Sequence, residues 1–162
     1  MTLNTFIRAA QAERDGLALN VMAREATDEA QDQHATRRRG SALLPSAFDS
    51  SVVLVAETTV DKRLVGFVAL RITDTTEDAY KHAARHADIT LLGVAPDMRR
   101  KGIGRDLVLS ALKQAEAWKA TRITLCVAEQ NRAAISLYES MGWIVIDRMM
   151  AFPAKPPKAD EP

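Results

Sequence analysis

The sequence predicts a single α/β domain built on a mixed sheet, and three observations carry that expectation. Its second half alternates strand, glycine loop, helix, strand and helix up to Gly142, the order that builds parallel crossovers. Before it, two apolar and partly β-branched runs, residues 51–57 and 64–72, flank a short polar turn, the pattern of a hairpin. Hydrophobic residues make up 47% and charged residues 27% of the 162 positions, which supplies one core and is too apolar for disorder.

Taken in order, residues 5–9 read as a short opening strand. Residues 11–24 place Leu17, Leu19, Val21 and Met22 among charges and predict a helix, and the polar stretch 25–39 predicts a second one. Pro45 and several serines then break the pattern across 41–50. After the hairpin, residues 74–87 read as a polar connection and 88–94 as a strand. The next helix spans 104–119, with Leu107, Val108, Ala111, Leu112, Ala115 and Trp118 at helical spacing. Residues 122–127 alternate as a strand, with Ile123, Leu125 and Val127 on one side. Ala134, Leu137, Tyr138 and Met141 form the stripe of a last helix that ends at Gly142. Residues 143–147 read as a closing strand. One domain is expected over 1–152, and the proline-rich residues 153–162 read as a loose tail.

Bulk properties exclude several classes. A formal net charge of +1 provides no global field for nucleic acid or an anionic membrane, so neither is an expected partner. The single cysteine, Cys126, rules out an intramolecular disulfide and suits a reducing compartment such as the cytoplasm. Asn4, Arg8 and Gln11 interrupt what would be a leader's apolar stretch, and no run of about 18 apolar residues predicts a membrane span. His82 and His86 are four apart, but no third ligand accompanies them, and no metal site is expected.

The most informative stretch runs from Val94 to Arg105. Gly102 and Gly104 let backbone N–H groups converge on an anion, and the following helix points its positive end there. Arg99, Arg100, Lys101 and Arg105 add charge. A P-loop would need its lysine after the second glycine, and a dinucleotide fingerprint would need a small residue where Leu107 stands. Neither motif fits.

Arg99-x-x-Gly102-x-Gly104, set after a strand ending in Val94-x-Pro96, resembles the Arg/Gln-x-x-Gly-x-Gly/Ala signature of the GNAT acetyltransferases. A second block, Asn131-x-x-Ala134-x-x-Leu137-Tyr138-x-x-x-Gly142-Trp143, is similar to that family's helix, with Trp143 where phenylalanine is usual. The resemblance implies a GNAT-like sheet, flanked by helices and splayed between the strands near Val94 and Val127. Acetyl-CoA would lie there as co-substrate: its pantetheine arm against the backbone of Leu92, Gly93 and Val94 and against Asn131, its pyrophosphate on residues 99–105, including Ile103. The implied reaction is acetyl transfer to the primary amine of a small molecule or peptide, by direct attack through a tetrahedral intermediate. The same resemblance makes a homodimer an expectation. A non-catalytic CoA-binding protein on the same fold stays open as the alternative.

Tyr138 resembles the family's general acid, a phenol that stays protonated at neutral pH and can donate to the departing thiolate. Relatives that acetylate protein N-termini carry a glutamate twelve residues ahead of the tyrosine, and Cys126 stands there, most simply as a small buried hydrophobe. Asp88 is the remaining candidate base, acting through water, with Glu57 a weaker one. The other route leaves the amine to lose its proton before binding. Asp28, Glu29 and Asp32 lie where the family borders its acceptor, and Arg37 to Arg39 read as a solvated helix end.

Overall fold

The computed structural model describes residues 4–29, 51–75 and 84–146. Five strands form one sheet in the order of the chain: β1 (Thr5–Ala9), β2 (Ser51–Thr58), β3 (Leu64–Thr75), β4 (Ala84–Val94) and β5 (Arg122–Leu125). The first four run antiparallel to their neighbours, and β5 joins β4 in parallel. Helix α1 (Ala12–Glu29) covers one face, where Leu19 and Ala23 bury against Val53, Val55, Phe67 and Ala69. Helices α2 (Ile103–Ala117) and α3 (Arg132–Ser140) build the opposite side: Leu107, Val108, Ala111 and Tyr138 share a core with Val68, Leu70 and Ile89.

Four expectations need correction. A single helix, α1, extends to Glu29, so the start of the proposed second helix belongs to the first; residues 30–50 lie outside the described ones. The connection read over 74–87 is largely strand, because β3 continues to Thr75 and β4 begins at Ala84. There, polar side chains such as those of Thr73, Asp74 and Arg85 form cross-strand pairs, and no apolar alternation is needed for pairing. β5 ends at Leu125, and Trp143 to Ile146 form no strand. Alternation alone does not make a strand without a hydrogen-bonding neighbour.

Two irregularities in β4 shape everything that follows. Ala69 pairs with Leu91 and Leu70 with Ile89, so Thr90 is an extra residue. Such a bulge reverses the facing of the residues beyond it. Ile89 therefore joins the α2 side, Leu91 the α1 side, and Leu92 the α2 side. The parallel ladder with β5 stops at Ile89 and Leu125, while β4 continues beside β3 to Val94. Thr90 to Val94 are thus paired along one edge only. The sheet opens there.

Gly93 lies in the opened half. A Cβ on it would sit 2.5 Å from Phe67 Cε1 and 3.2 Å from Ala26 Cβ, so only glycine lets α1 cross β4 this closely.

Candidate functional site

The opening between β4 and β5 is the candidate site. Leu92 and Val94 turn their side chains into the α2-side core, and Gly93 has none to offer. These three residues therefore present backbone to the opening.

Beyond Val94 the chain turns through a 3₁₀ turn, Pro96–Met98, into the glycine loop. Arg100 has φ 62° and Gly102 φ 86°, two left-handed residues two positions apart. Gly102 is the N-cap of α2 and contributes no side-chain cap, so the first N–H groups of a 15-residue helix face outward beside a kinked loop. A loop of this shape can cradle an anion. Ile103 gives it only an amide, because its side chain is buried.

The two glycines differ in purpose. Space around a Cβ at Gly102 is open, and its backbone sign alone demands glycine. At Gly104 a Cβ would meet Leu137 Cδ2 at 3.5 Å and Val94 Cγ2 at 3.7 Å, ordinary contacts. Gly104→Asp is therefore the cleaner probe: it leaves the loop intact and adds a negative charge at the helix start. CoA affinity measured by calorimetry is expected to fall at least tenfold, the size of one lost charge-assisted contact or more (~1.5–3 kcal/mol). Unchanged affinity in the folded variant would remove this loop from the cofactor site.

The loop cations divide similarly. Arg99 Nε donates to the Val94 carbonyl at 3.0 Å, and Lys101 Nζ to the Asp97 carbonyl at 2.9 Å. Both brace the turn. Arg105 extends from the exposed side of α2. Asp97 in turn is gripped by both terminal nitrogens of Arg63, at 2.7 and 2.8 Å, tying the loop to the hairpin turn.

On the far side of the opening, Asn131 caps α3, its Oδ1 accepting from Ala134 N at 3.1 Å. An asparagine just before a helix signals this role directly from sequence. At the other end of α3, Gly142 N bonds Glu139 O and Trp143 N bonds Tyr138 O, with Gly142 at φ 87°. This is a Schellman closure, whose usual apolar contact joins the residues at its two ends. Those residues are Tyr138 and Trp143, with ring centroids 5.9 Å apart. The helix stop thus fixes the tyrosine. Burial pushes the Tyr138 phenol up to about 12.

Asp88 is inside β4 and not at its start. Its neighbours Ala87 and Ile89 face α2, so it faces the α1 side. It accepts a hydrogen bond from the Thr124 hydroxyl, and Arg71 lies 3.9 Å from its other oxygen. Asp88 and Tyr138 therefore occupy opposite faces of the sheet, with the opening beginning just past Asp88. Sequence reading missed Arg71 and Thr124. The available signal was parity: Phe67 and Ala69 share the α1 face, and Arg71 continues that row with a charge.

Two further readings change. Cys126 is exposed: β5 ends one residue before it, and no neighbouring strand among the described residues covers it. Glu57 is almost fully buried and held by Arg8 and Arg14, and its hydrogen bond from Arg8 keeps its carboxyl below the usual range. His86 lies in β4, and His82 falls outside the described residues. Among the described residues no cluster could hold a metal, and no helix is long and apolar enough to cross a membrane.

The fold and the loop chemistry meet in one family. The model of the acetyltransferase (GNAT) family matches residues 19–143, and the chain belongs to that family. It is 31% identical over 110 residues to a mycothiol acetyltransferase of Propionibacterium freudenreichii subsp. shermanii, covering 67% of this chain and 33% of that protein. It is 33% identical over 85 residues to the ribosomal protein bS18-alanine N-acetyltransferase of Salmonella typhimurium, covering 52% of this chain and 51% of that one. The chain spans 19–33% of the length of the mycothiol acetyltransferases it matches. An aminoglycoside N-acetyltransferase solved in complex with CoA shares the fold, with TM-score 0.70 and 13% identity over 96% of this chain and 98% of that one.

Proposed function

We propose that the chain transfers the acetyl group of acetyl-CoA to a primary amine by direct attack, across the opening between β4 and β5. The observation that carries the reading is the split β4, one half a sheet strand and the other a strip of backbone ending at an anion cradle. An extended thioester substrate with a pyrophosphate matches that strip. Its arm would pair with Leu92 to Val94 and approach Asn131. Its phosphates would meet the amides at Gly102, Ile103 and Gly104 and the charges of Arg99, Arg100, Lys101 and Arg105. Backbone N–H groups of the strip would also polarise the thioester carbonyl.

The two faces divide the proton work. The amine approaches from the α1 face, where Asp88 takes its proton through water. The thiolate departs toward the face of Tyr138, whose phenol protonates it. The acceptor is a small molecule or a peptide amine. The exposed, unpaired thiol of Cys126 suits a reducing cytoplasm, where we place the reaction.

Asp88→Asn is the direct test, being isosteric and keeping an acceptor for Thr124. If Asp88 is the base, kcat/KM falls by about 10²-fold and the acidic limb of its pH profile disappears. A variant that behaves like the parent, with kcat/KM climbing toward the amine's own pKa, assigns deprotonation to solvent. Absence of thiol release with any amine, despite CoA binding, would leave a binding protein on this fold.

A further inference from the structure

The α1 face of the sheet changes character at the bulge. Phe67, Ala69 and Leu91 are apolar and lie under α1. One step further along the same face stand Arg71 on β3, Asp88 on β4 and Thr124 on β5, a polar row across three strands. Half of the Arg71 side chain and a third of the Asp88 side chain remain accessible, at 50% and 34%. The two are direct cross-strand partners, yet they do not close into a tight ion pair: the only approach is 3.9 Å, through one guanidinium nitrogen. Arg85 and Asp74 on the same strand pair do close, at 2.7 Å. Asp88 spends one oxygen on Thr124 and keeps the other open. Flanking the row, His86 and Arg122 stand opposite each other on β4 and β5, two positions from Asp88 and Thr124.

Along this row of described residues Asp88 is the one carboxylate among Arg71, His86 and Arg122, beside an arginine with unspent donors. A polycation approaching Asp88 would also approach Arg71 and Arg122, which repel it. An acceptor carrying its own carboxylate close to the amine meets both charges correctly. The guanidinium binds a carboxylate through two parallel bonds.

We propose that Arg71 is the specificity residue of the acceptor side and reads a carboxylate on the substrate, so that the acceptor is a compact zwitterion such as an α-amino or short ω-amino acid. The inference rests on Asp88 marking the acceptor face. The amine faces Asp88, the carboxylate faces Arg71, and the short separation of the two side chains favours few bonds between the groups.

The test compares alanine and β-alanine with alaninamide and β-alaninamide, and with spermidine, as acceptors for acetyl-CoA in the full chain. Each free acid should exceed its amide in kcat/KM by about tenfold to a hundredfold, the worth of one charge-assisted pair. Arg71→Gln should abolish that preference, chiefly by raising KM for the acids to that of the amides, while CoA affinity stays that of the parent. Arg71→Lys should restore part of it. Equal rates for acid and amide in the parent, a preference that survives in Arg71→Gln, or acetylation of spermidine but of neither amino acid would each overturn the proposal. So would failure to acetylate any carboxylated amine. Asp88→Asn separates this from the catalytic reading: it should slow acids and amides together, whereas Arg71→Gln changes only their ratio.

Discussion

Tyr138→Phe is expected to lower kcat by roughly 10²–10⁴-fold while cofactor affinity stays near that of the parent. The phenol is the only thing removed. The ring keeps its place against Trp143 at 5.9 Å, and the Schellman bonds at the end of α3 use backbone alone. With its pKa pushed up to about 12 by burial, the phenol is protonated at every pH at which the protein would work. It can therefore give a proton to the thiolate without limiting the alkaline side of the rate profile. Turnover within a factor of two of the parent, measured where chemistry limits the rate, would make Tyr138 a packing residue only.

Arg8→Met should unfold the protein more readily than any change at the site. Arg8 sits between two buried carboxylates, donating to Asp15 at 2.7 and 2.9 Å and to Glu57 at 3.0 Å from Nε. Asp15 also accepts from Gln11 N at 2.8 Å, so the cluster anchors the start of α1 to β1 and β2. Removing the cation strips Asp15 of its two-pronged partner and leaves Glu57 with Arg14 alone, which is expected to cost about 3–5 kcal/mol. Hydrogen bonds from Arg8 hold both carboxyls below their ordinary values. Groups depressed by folding stabilise it above their unfolded pKa and lose that contribution as pH falls through the folded one. The parent should therefore be steady from about pH 5 upward and weaken below about pH 4. In the variant, burial without Arg8 favours the protonated carboxyls, so its deficit should shrink on acidification. Chemical denaturation at pH 7 and at about pH 3.5 measures both; a deficit that does not shrink would show the cluster to be electrostatically inert.

Local pattern made much of this legible. The apolar stripe of α2, the β-branched runs of β2 and β3, and Gly142 as a helix stop follow from residue spacing within one element. The anion logic of the glycine loop comes from the same local reading, and Gly102 has φ 86°. What escaped depends on which residues meet across elements. Nothing in the spacing of Arg8, Asp15 and Glu57 links them until β1, β2 and α1 bring them together. The bulge at Thr90 is a property of pairing between β3 and β4, and one extra residue goes with Ile89 and Leu91 serving different clusters. Asp88 read as a strand-end residue because the polar segment ahead of it gave no apolar alternation, although Arg85 and Asp74 pair there across the ladder. Cys126 read as buried because Ile123 and Leu125 set an alternation that the chain abandons when its ladder ends.

That abandoned ladder leaves an edge in the interior of a sheet. Thr90 to Val94 extend ~17 Å of strand at ordinary rise, with pairing on the β3 side and none from β5. Unpaired strand edges are what proteins ordinarily hide, because another chain can add to them and begin aggregation. Here the exposed stretch is short and starts at a bulge. It ends where the chain turns at Pro96 into α2, so a protein strand would have to thread between a helix start and a parted neighbour. The geometry that admits one thin extended molecule is thus also what keeps a second polypeptide from docking.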